Sequence, residues 1–284
     1  MFDPSGNVVI GGMKFLKLLS ISGKELTSKK GIFGKVGKAQ PLPCATFVGE
    51  KLITGTADGC VYRWEGRDCK EAIKCTDSEK NNAVMDVRVV SGNTDGVVMV
   101  SGAKDGKICL FDERLKIVKT LDLNNVSVGG LCEMKCVVSV DLSIDGARVL
   151  CGTKGSEVIE MDAADGEAGV MLMSGHYKDE LWGLACHNSN SDLCATSGDD
   201  GVVKVWSIGG KKLLCSEKVG DQSRAVSFNG HYVCAGVGVE GGRKKKRAKG
   251  DKAGGYCVYK RQGEGGLVKV KEDRCAKEWV GDLK

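Results

Sequence analysis

Three stretches of this sequence carry one turn at one spacing: TGTADGCVYRW from Thr54 to Trp64, SGAKDGKICLF from Ser101 to Phe111, and TSGDDGVVKVW from Thr196 to Trp206. In each, a hydroxyl residue precedes an Asp-Gly pair by four positions and an aromatic residue follows the aspartate by six. Asp-Gly flanked by short apolar runs is a hairpin signal, because glycine supplies the positive φ that tight turns need. Recurrence at roughly forty residues marks units that bury their faces by stacking on one another. A chain written this way folds as an array of small antiparallel sheets.

The fullest unit runs from Ser174 to Ser207. It holds a Gly-His pair (Gly175, His176), three strand-like runs ending at Ala185, Ser197 and Trp206, and the turn at Asp200 and Gly201. A buried carboxylate needs donors, and His, Thr and Trp supply them. His176, Thr196, Asp200 and Trp206 are therefore expected to meet in one network, and the pattern resembles the structural tetrad of WD repeats. The competing reading makes His176 and Asp200 a catalytic base and its orienter, but no nucleophile stands at a motif position beside them.

The other units are variations. Thr54, Asp58 and Trp64 form a set without an upstream histidine, and Ser101, Asp105 and Phe111 form another whose aromatic ring cannot donate a hydrogen bond. A fourth unit, Cys136 to Ser174, has Gly155 and Met161 at the Asp and Trp positions, and a last one has Tyr259 as its aromatic residue. Near the amino end, Asn7 to Ile21 supplies two strands of a unit that lacks its first, with a glycine-rich connector from Ser28. Glu71 to Asp77 reads as the outer strand of the second unit. The expected fold is all-β, a β-propeller of WD repeats with about six blades, five full units plus terminal part-blades. Two arrangements fit: a ring completed by Trp279 to Leu283 pairing beside Val8 to Gly11, or a chain spanning parts of two tandem propellers with a boundary near residues 22–45.

The formal net charge of +5 is local. Arg243, Lys244, Lys245, Lys246, Arg247, Lys249 and Lys252 crowd the segment 240–255, and without that loop acidic and basic residues balance. A chain-wide footprint for nucleic acid is thus not expected. The fourteen cysteines fall mostly in strand-like runs such as those around Cys44, Cys109, Cys151, Cys194 and Cys234, where they read as small reduced hydrophobes. Cys132 and Cys136 lack the second ligand pair of a zinc site. The spaced glycines Gly31, Gly34 and Gly37 lack the strand-to-helix context and GKS ending of a phosphate loop. The amino terminus lacks the basic flank of a signal peptide, and no uncharged apolar run matches a bilayer span.

Three motifs carry a more specific resemblance: SKKGIFGKVGKAQPLPCATF (Ser28 to Phe47), GHYKDELWGLACH (Gly175 to His187) and KEWVGDLK (Lys277 to Lys284). In order and spacing they resemble the echinoderm microtubule-associated protein-like family. The resemblance implies tandem propellers that contact tubulin, with a hydrophobic-motif region and a coiled coil upstream that this sequence does not include. It implies a non-enzymatic, cytoplasmic, microtubule-associated scaffold with protein partners, no cofactor and no metal. The basic loop Arg243 to Lys252 is the candidate contact for an acidic partner. A WD-repeat adaptor of another complex stays open, and a propeller hydrolase is the remote third reading.

Overall fold

The computed structural model describes residues 1–77, 80, 82–90, 96–127, 134–238, 254–263 and 266–276. Among them the secondary structure is strand alone, in six antiparallel sheets that follow one another along the chain. The first sheet has three strands, β1 (Val8–Gly11), β2 (Leu16–Ser22) and β3 (Glu25–Lys30). Five four-stranded sheets follow. The second is β4 (Ala45–Val48), β5 (Lys51–Gly55), β6 (Cys60–Glu65) and β7 (Asp68–Lys74), and the third is β8 (Val84–Val89), β9 (Val97–Ala103), β10 (Lys107–Asp112) and β11 (Ile117–Asp122). The fourth is β12 (Val137–Leu142), β13 (Arg148–Thr153), β14 (Glu157–Asp162) and β15 (Gly169–Ser174). The fifth is β16 (Leu181–Cys186), β17 (Leu193–Gly198), β18 (Val202–Ser207) and β19 (Lys212–Lys218). The sixth is β20 (Gln222–Asn229), β21 (Tyr232–Gly238), β22 (Gly254–Arg261) and β23 (Leu267–Ala276). Consecutive neighbours paired by short turns are the meander of propeller blades. The fold is that of WD-repeat β-propeller blades.

The chain divides into two compact units, Met1–Leu172 and Met173–Lys284. In the first unit, sheet stacks on sheet through apolar faces. Val9 and Leu16 pack with Leu52, Tyr62 and Trp64; Ile53 and Val61 pack with Val84, Met99 and Phe111; Val100, Ile108 and Leu110 pack with Val137, Val149 and Ile159. In the second unit, Ala195, Val203 and Val205 pack with Val226, Phe228, Val233 and Tyr259. Strands buried on one face alternate in this way because successive side chains point to opposite sides.

Two details of the sequence reading change. Glu25 to Lys30 is a strand, β3, where the sequence suggested no strand after Ile21 and a connector from Ser28; all six residues are exposed, so no apolar alternation announces it. The outer strand of the second sheet begins at Asp68 and not Glu71, because a two-residue turn at Gly66, φ +56°, folds the chain back directly. The first unit's missing inner strand is represented by a single bridge, Phe2 to Val8. Residues 277–284, with the pairing expected of Trp279 to Leu283, lie outside the described residues, as do Cys132 and the basic segment Arg243 to Lys252.

The glycine-rich connector after β3 is a packing strap. A Cβ at Gly31 would stand 2.8 Å from Cβ of Leu16 and 3.2 Å from the Trp64 ring, so a side chain there would displace the core. Phe33 meets Trp64 edge to face at 5.1 Å, and Lys38 N–H and Gln40 Nε2 both donate to the Tyr62 hydroxyl, at 3.0 and 2.8 Å. The connector from Gly31 to Gln40 thus packs against the second sheet, within the compact unit Met1–Leu172.

Candidate functional site

In the fifth sheet, the turn joining β17 to β18 aims Asp200 inward, with Gly201 at φ +72°. Its carboxylate accepts the N–H of Val202 at 3.1 Å and of Tyr177 at 3.3 Å, and lies 2.9 Å from His176 Nδ1. His176 Nε2 lies 2.9 Å from Thr196 Oγ1, and Trp206 Nε1–H donates to that same oxygen at 2.8 Å. One tautomer satisfies every atom: Nδ1–H donates to Asp200, and Nε2 accepts the Thr196 hydroxyl proton. The structure therefore brings His176, Thr196, Asp200 and Trp206 into a single directional chain of hydrogen bonds. Burial pushes the Asp200 carboxyl up, but the His176 hydrogen bond and charge, with the two amides, outweigh it and hold the group below its ordinary value.

A hydroxyl, an imidazole and a carboxylate in that order are also the parts of a hydrolytic triad. Here the hydroxyl is already committed to Trp206 and Thr196 is buried, while the Asp200 side chain is fully covered. A nucleophile must reach its substrate. The arrangement is suited to tying the loop at His176 to the middle of the sheet.

The other sheets vary one position, two residues past the Thr196 equivalent. In the fifth sheet it is Gly198, whose Cβ would stand 3.3 Å from His176 Nδ1, so glycine leaves room for the imidazole. In the second sheet it is Thr56. Trp64 Nε1–H donates to Thr54 at 3.0 Å, but Asp58 is apart from that pair and accepts the Thr56 hydroxyl at 2.6 Å. The structure splits this set into two pairs. In the third sheet the position is Ala103: Ser101 and Phe111 are buried, Asp105 Oδ1 accepts the Lys107 N–H at 3.2 Å, and Asp105 Oδ2 is buried with no partner. Burial accordingly pushes the Asp105 carboxyl up.

In the fourth sheet the position is Thr153, which makes a close hydrogen bond to the carboxylate of Glu157. That carboxylate occupies the space where a side chain at Gly155 would begin. Glu157 thus stands in for the missing aspartate from a different place in the chain. Its signal was an acidic residue in the apolar run EVIEMD, in register with Ile159 and Met161 on the buried face; Glu157 is 1% exposed. In the sixth sheet, Tyr259 donates instead to the backbone carbonyl of Lys218 at 3.3 Å.

Two surface features complete the picture. Trp182, in DELWGLA, is half exposed; it donates to Asp199 at 3.1 Å and lies under the Arg224 guanidinium at 4.4 Å, while Arg224 Nε reaches Asp199 at 3.2 Å. The motif that carries the family resemblance is thus a pinned indole. The first sheet and the strap after it are rich in exposed lysines, which overall charge balance concealed. Between Lys14 and Lys38 there are seven lysines and one acid, Glu25. Register places Lys17 opposite Lys30, and Lys14, Lys24, Lys29, Lys30, Lys35 and Lys38 are exposed. Like charges held opposite one another cost stability.

Among the described residues no three His, Cys, Asp or Glu side chains gather as a metal site, and no helix is long and apolar enough to cross a membrane.

Comparison with known proteins places these features. The family described as "WD domain, G-beta repeat" matches residues 169–207, from β15, the last strand of the fourth sheet, through β18 of the fifth. Ciliary WD repeat-containing protein ctxp80 of Euplotoides octocarinatus is 25% identical over 255 residues, covering 84% of this chain and 32% of that protein. Human Echinoderm microtubule-associated protein-like 2 is 24% identical over 85% of this chain and 35% of its own length. Mouse Echinoderm microtubule-associated protein-like 4 is 24% identical over 85% of this chain and 24% of its own. The chain thus spans about a quarter to a third of the length of these relatives. With its repeated four-stranded sheets and its matched repeat, the chain is a WD-repeat protein whose relatives include the echinoderm microtubule-associated protein-like proteins.

Proposed function

We propose that this chain is a non-enzymatic WD-repeat scaffold that associates with microtubules in the cytoplasm, binding tubulin among its protein partners. The observation that carries the reading is kinship with proteins named for microtubule association along 85% of the chain. Physical features support it. The hydrogen-bond networks are closed on themselves, so the surfaces are left to do the work. The exposed lysines in and around β3 and the basic sequence Arg243 to Lys252 suit an acidic partner, and clustered cations raise association rate and salt sensitivity. No cofactor or metal enters this reading.

The test is co-sedimentation with polymerised tubulin at rising salt, comparing the natural chain with Lys29→Ser/Lys30→Ser and with the seven bases of 243–252 changed to Ser. Binding that weakens with salt and with either set of changes supports the reading. A chain that stays in the supernatant at low salt removes it in favour of an adaptor role in another complex.

A further inference from the structure

One row of side chains across the fifth sheet differs from its counterparts. The residue opposite the aromatic position and its partner on the inner strand are Leu52 and Phe47 in the second sheet, Met99 and Val89 in the third, Val149 and Leu142 in the fourth, and Val233 and Phe228 in the sixth. Each is a pair of apolar side chains. In the fifth sheet the same two places hold Cys194 and Cys186, paired directly across β17 and β16.

The ladder fixes their geometry. His187 N–H bonds to the Leu193 carbonyl at 2.9 Å, so His187 and Leu193 form a hydrogen-bonded pair and the next pair along, Cys186 and Cys194, is a non-hydrogen-bonded one. The other side of β17 agrees: Ile208 N–H bonds to the Asp192 carbonyl at 2.7 Å, which by alternation turns the backbone of Cys194 toward Trp206 and away from β16. Non-hydrogen-bonded pairs bring Cα atoms to about 4.5 Å, with side chains on the same face, inside the range that a disulfide spans. The thirteen described cysteines are free, Cys186 is exposed and Cys194 half-buried. Burial raises the Cys194 thiol and the neighbouring Cys186 raises it further, as two sulfurs side by side must. Cys75 and Cys109, also neighbours, are both buried and shielded from a dissolved oxidant.

We infer that Cys186 and Cys194 are a peroxide-sensitive dithiol that closes to a cross-strand disulfide, stapling the edge strand β16 to β17. The Cys186 thiolate attacks a peroxide oxygen, giving a sulfenic acid and one water. The Cys194 sulfur then attacks the Cys186 sulfur and expels a second water. Two thiols lose two electrons and two protons, and hydrogen peroxide is reduced to two waters. Cys194 is two residues from Thr196 on the same face and beside Trp206, so the staple forms against the hydrogen-bond network.

The sequence gives a clean readout, because cleavage after Lys178 and Lys204 yields one peptide, Asp179 to Lys204, holding these two cysteines and no others. The full chain is treated with hydrogen peroxide, alkylated, cleaved with trypsin and weighed. The expected result is that more than about half of this peptide loses both alkyl groups, becomes about 2 Da lighter than the reduced form, and regains both groups after dithiothreitol. Cys186→Ser should leave Cys194 alkylated after the same treatment. A peptide that keeps two alkyl groups, that carries sulfinic or sulfonic acid at Cys186 without pairing, or that appears in a disulfide-linked dimer of chains overturns the proposal.

Discussion

The third sheet can be repaired. Asp105 Oδ2 is buried without a donor, and the two sheets that lack a histidine but bear Thr at the Ala103 position use its hydroxyl on the local carboxylate, Asp58 or Glu157. Ala103→Thr should therefore supply the missing hydrogen bond. A hydrogen bond to a charged group contributes about 1.5–3 kcal/mol, and ordering the new side chain costs a fraction of that. The expected gain is about 1–2 kcal/mol, with the smaller Ala103→Ser giving the same sign if the threonine methyl is too large for this 2% exposed site. For a unit of this size that is a rise in melting temperature of about 2–8 °C. The pH dependence identifies the cause. The Asp105 carboxyl lies above its ordinary value because it is desolvated, so its ionised form costs stability at neutral pH and that cost is relieved as pH falls through the raised value. The gain from Ala103→Thr should be full near pH 7 and shrink toward about pH 4. Calorimetry at both pH values measures it. Loss of stability in both variants, or a gain independent of pH, would refute the assignment of the defect to Asp105.

His176→Ala removes the donor to Asp200 and the acceptor for Thr196 and should destabilise the second unit by about 1–3 kcal/mol, read by thermal or urea unfolding. Asp200 has the opposite pH sign to Asp105: its carboxyl is held below its ordinary value, so its contribution is present above about pH 4 and is lost as pH falls through the folded value, and Asp200→Asn should flatten that acid limb. Gly155→Asp restores the repeat pattern on paper, yet it should destabilise by about 2 kcal/mol or more, because the buried Glu157 carboxylate already fills that space; urea unfolding decides.

The turns were legible in the sequence because they rest on local chemistry: Asp-Gly pairs and aromatic spacing mark three of the sheets and point to the meeting of His176, Thr196, Asp200 and Trp206. Features that depend on another part of the chain were not. Glu157 replaces an aspartate from two positions further along; alternation puts it on the buried face with Ile159 and Met161, but only the space at Gly155 shows that its carboxylate takes the aspartate's place. The split of Asp58 from Thr54 and Trp64 follows from Thr56, a residue outside the spacing pattern. The strand β3 has six exposed residues and no burial period, so its lysines read as loop. The local excess of lysine around it was hidden by summing charge over the chain, since acidic residues elsewhere cancel it in the total while leaving the local field intact.

On the proposed function, the His176 network is architecture and binding resides on the surface. A microtubule-binding isotherm for His176→Ala, taken below its melting temperature alongside the natural chain, tests this most directly. Affinity within about twofold of the natural chain, together with reduced thermal stability, is the predicted result. A loss of tenfold or more with native circular dichroism, or no binding by the natural chain itself, would contradict it.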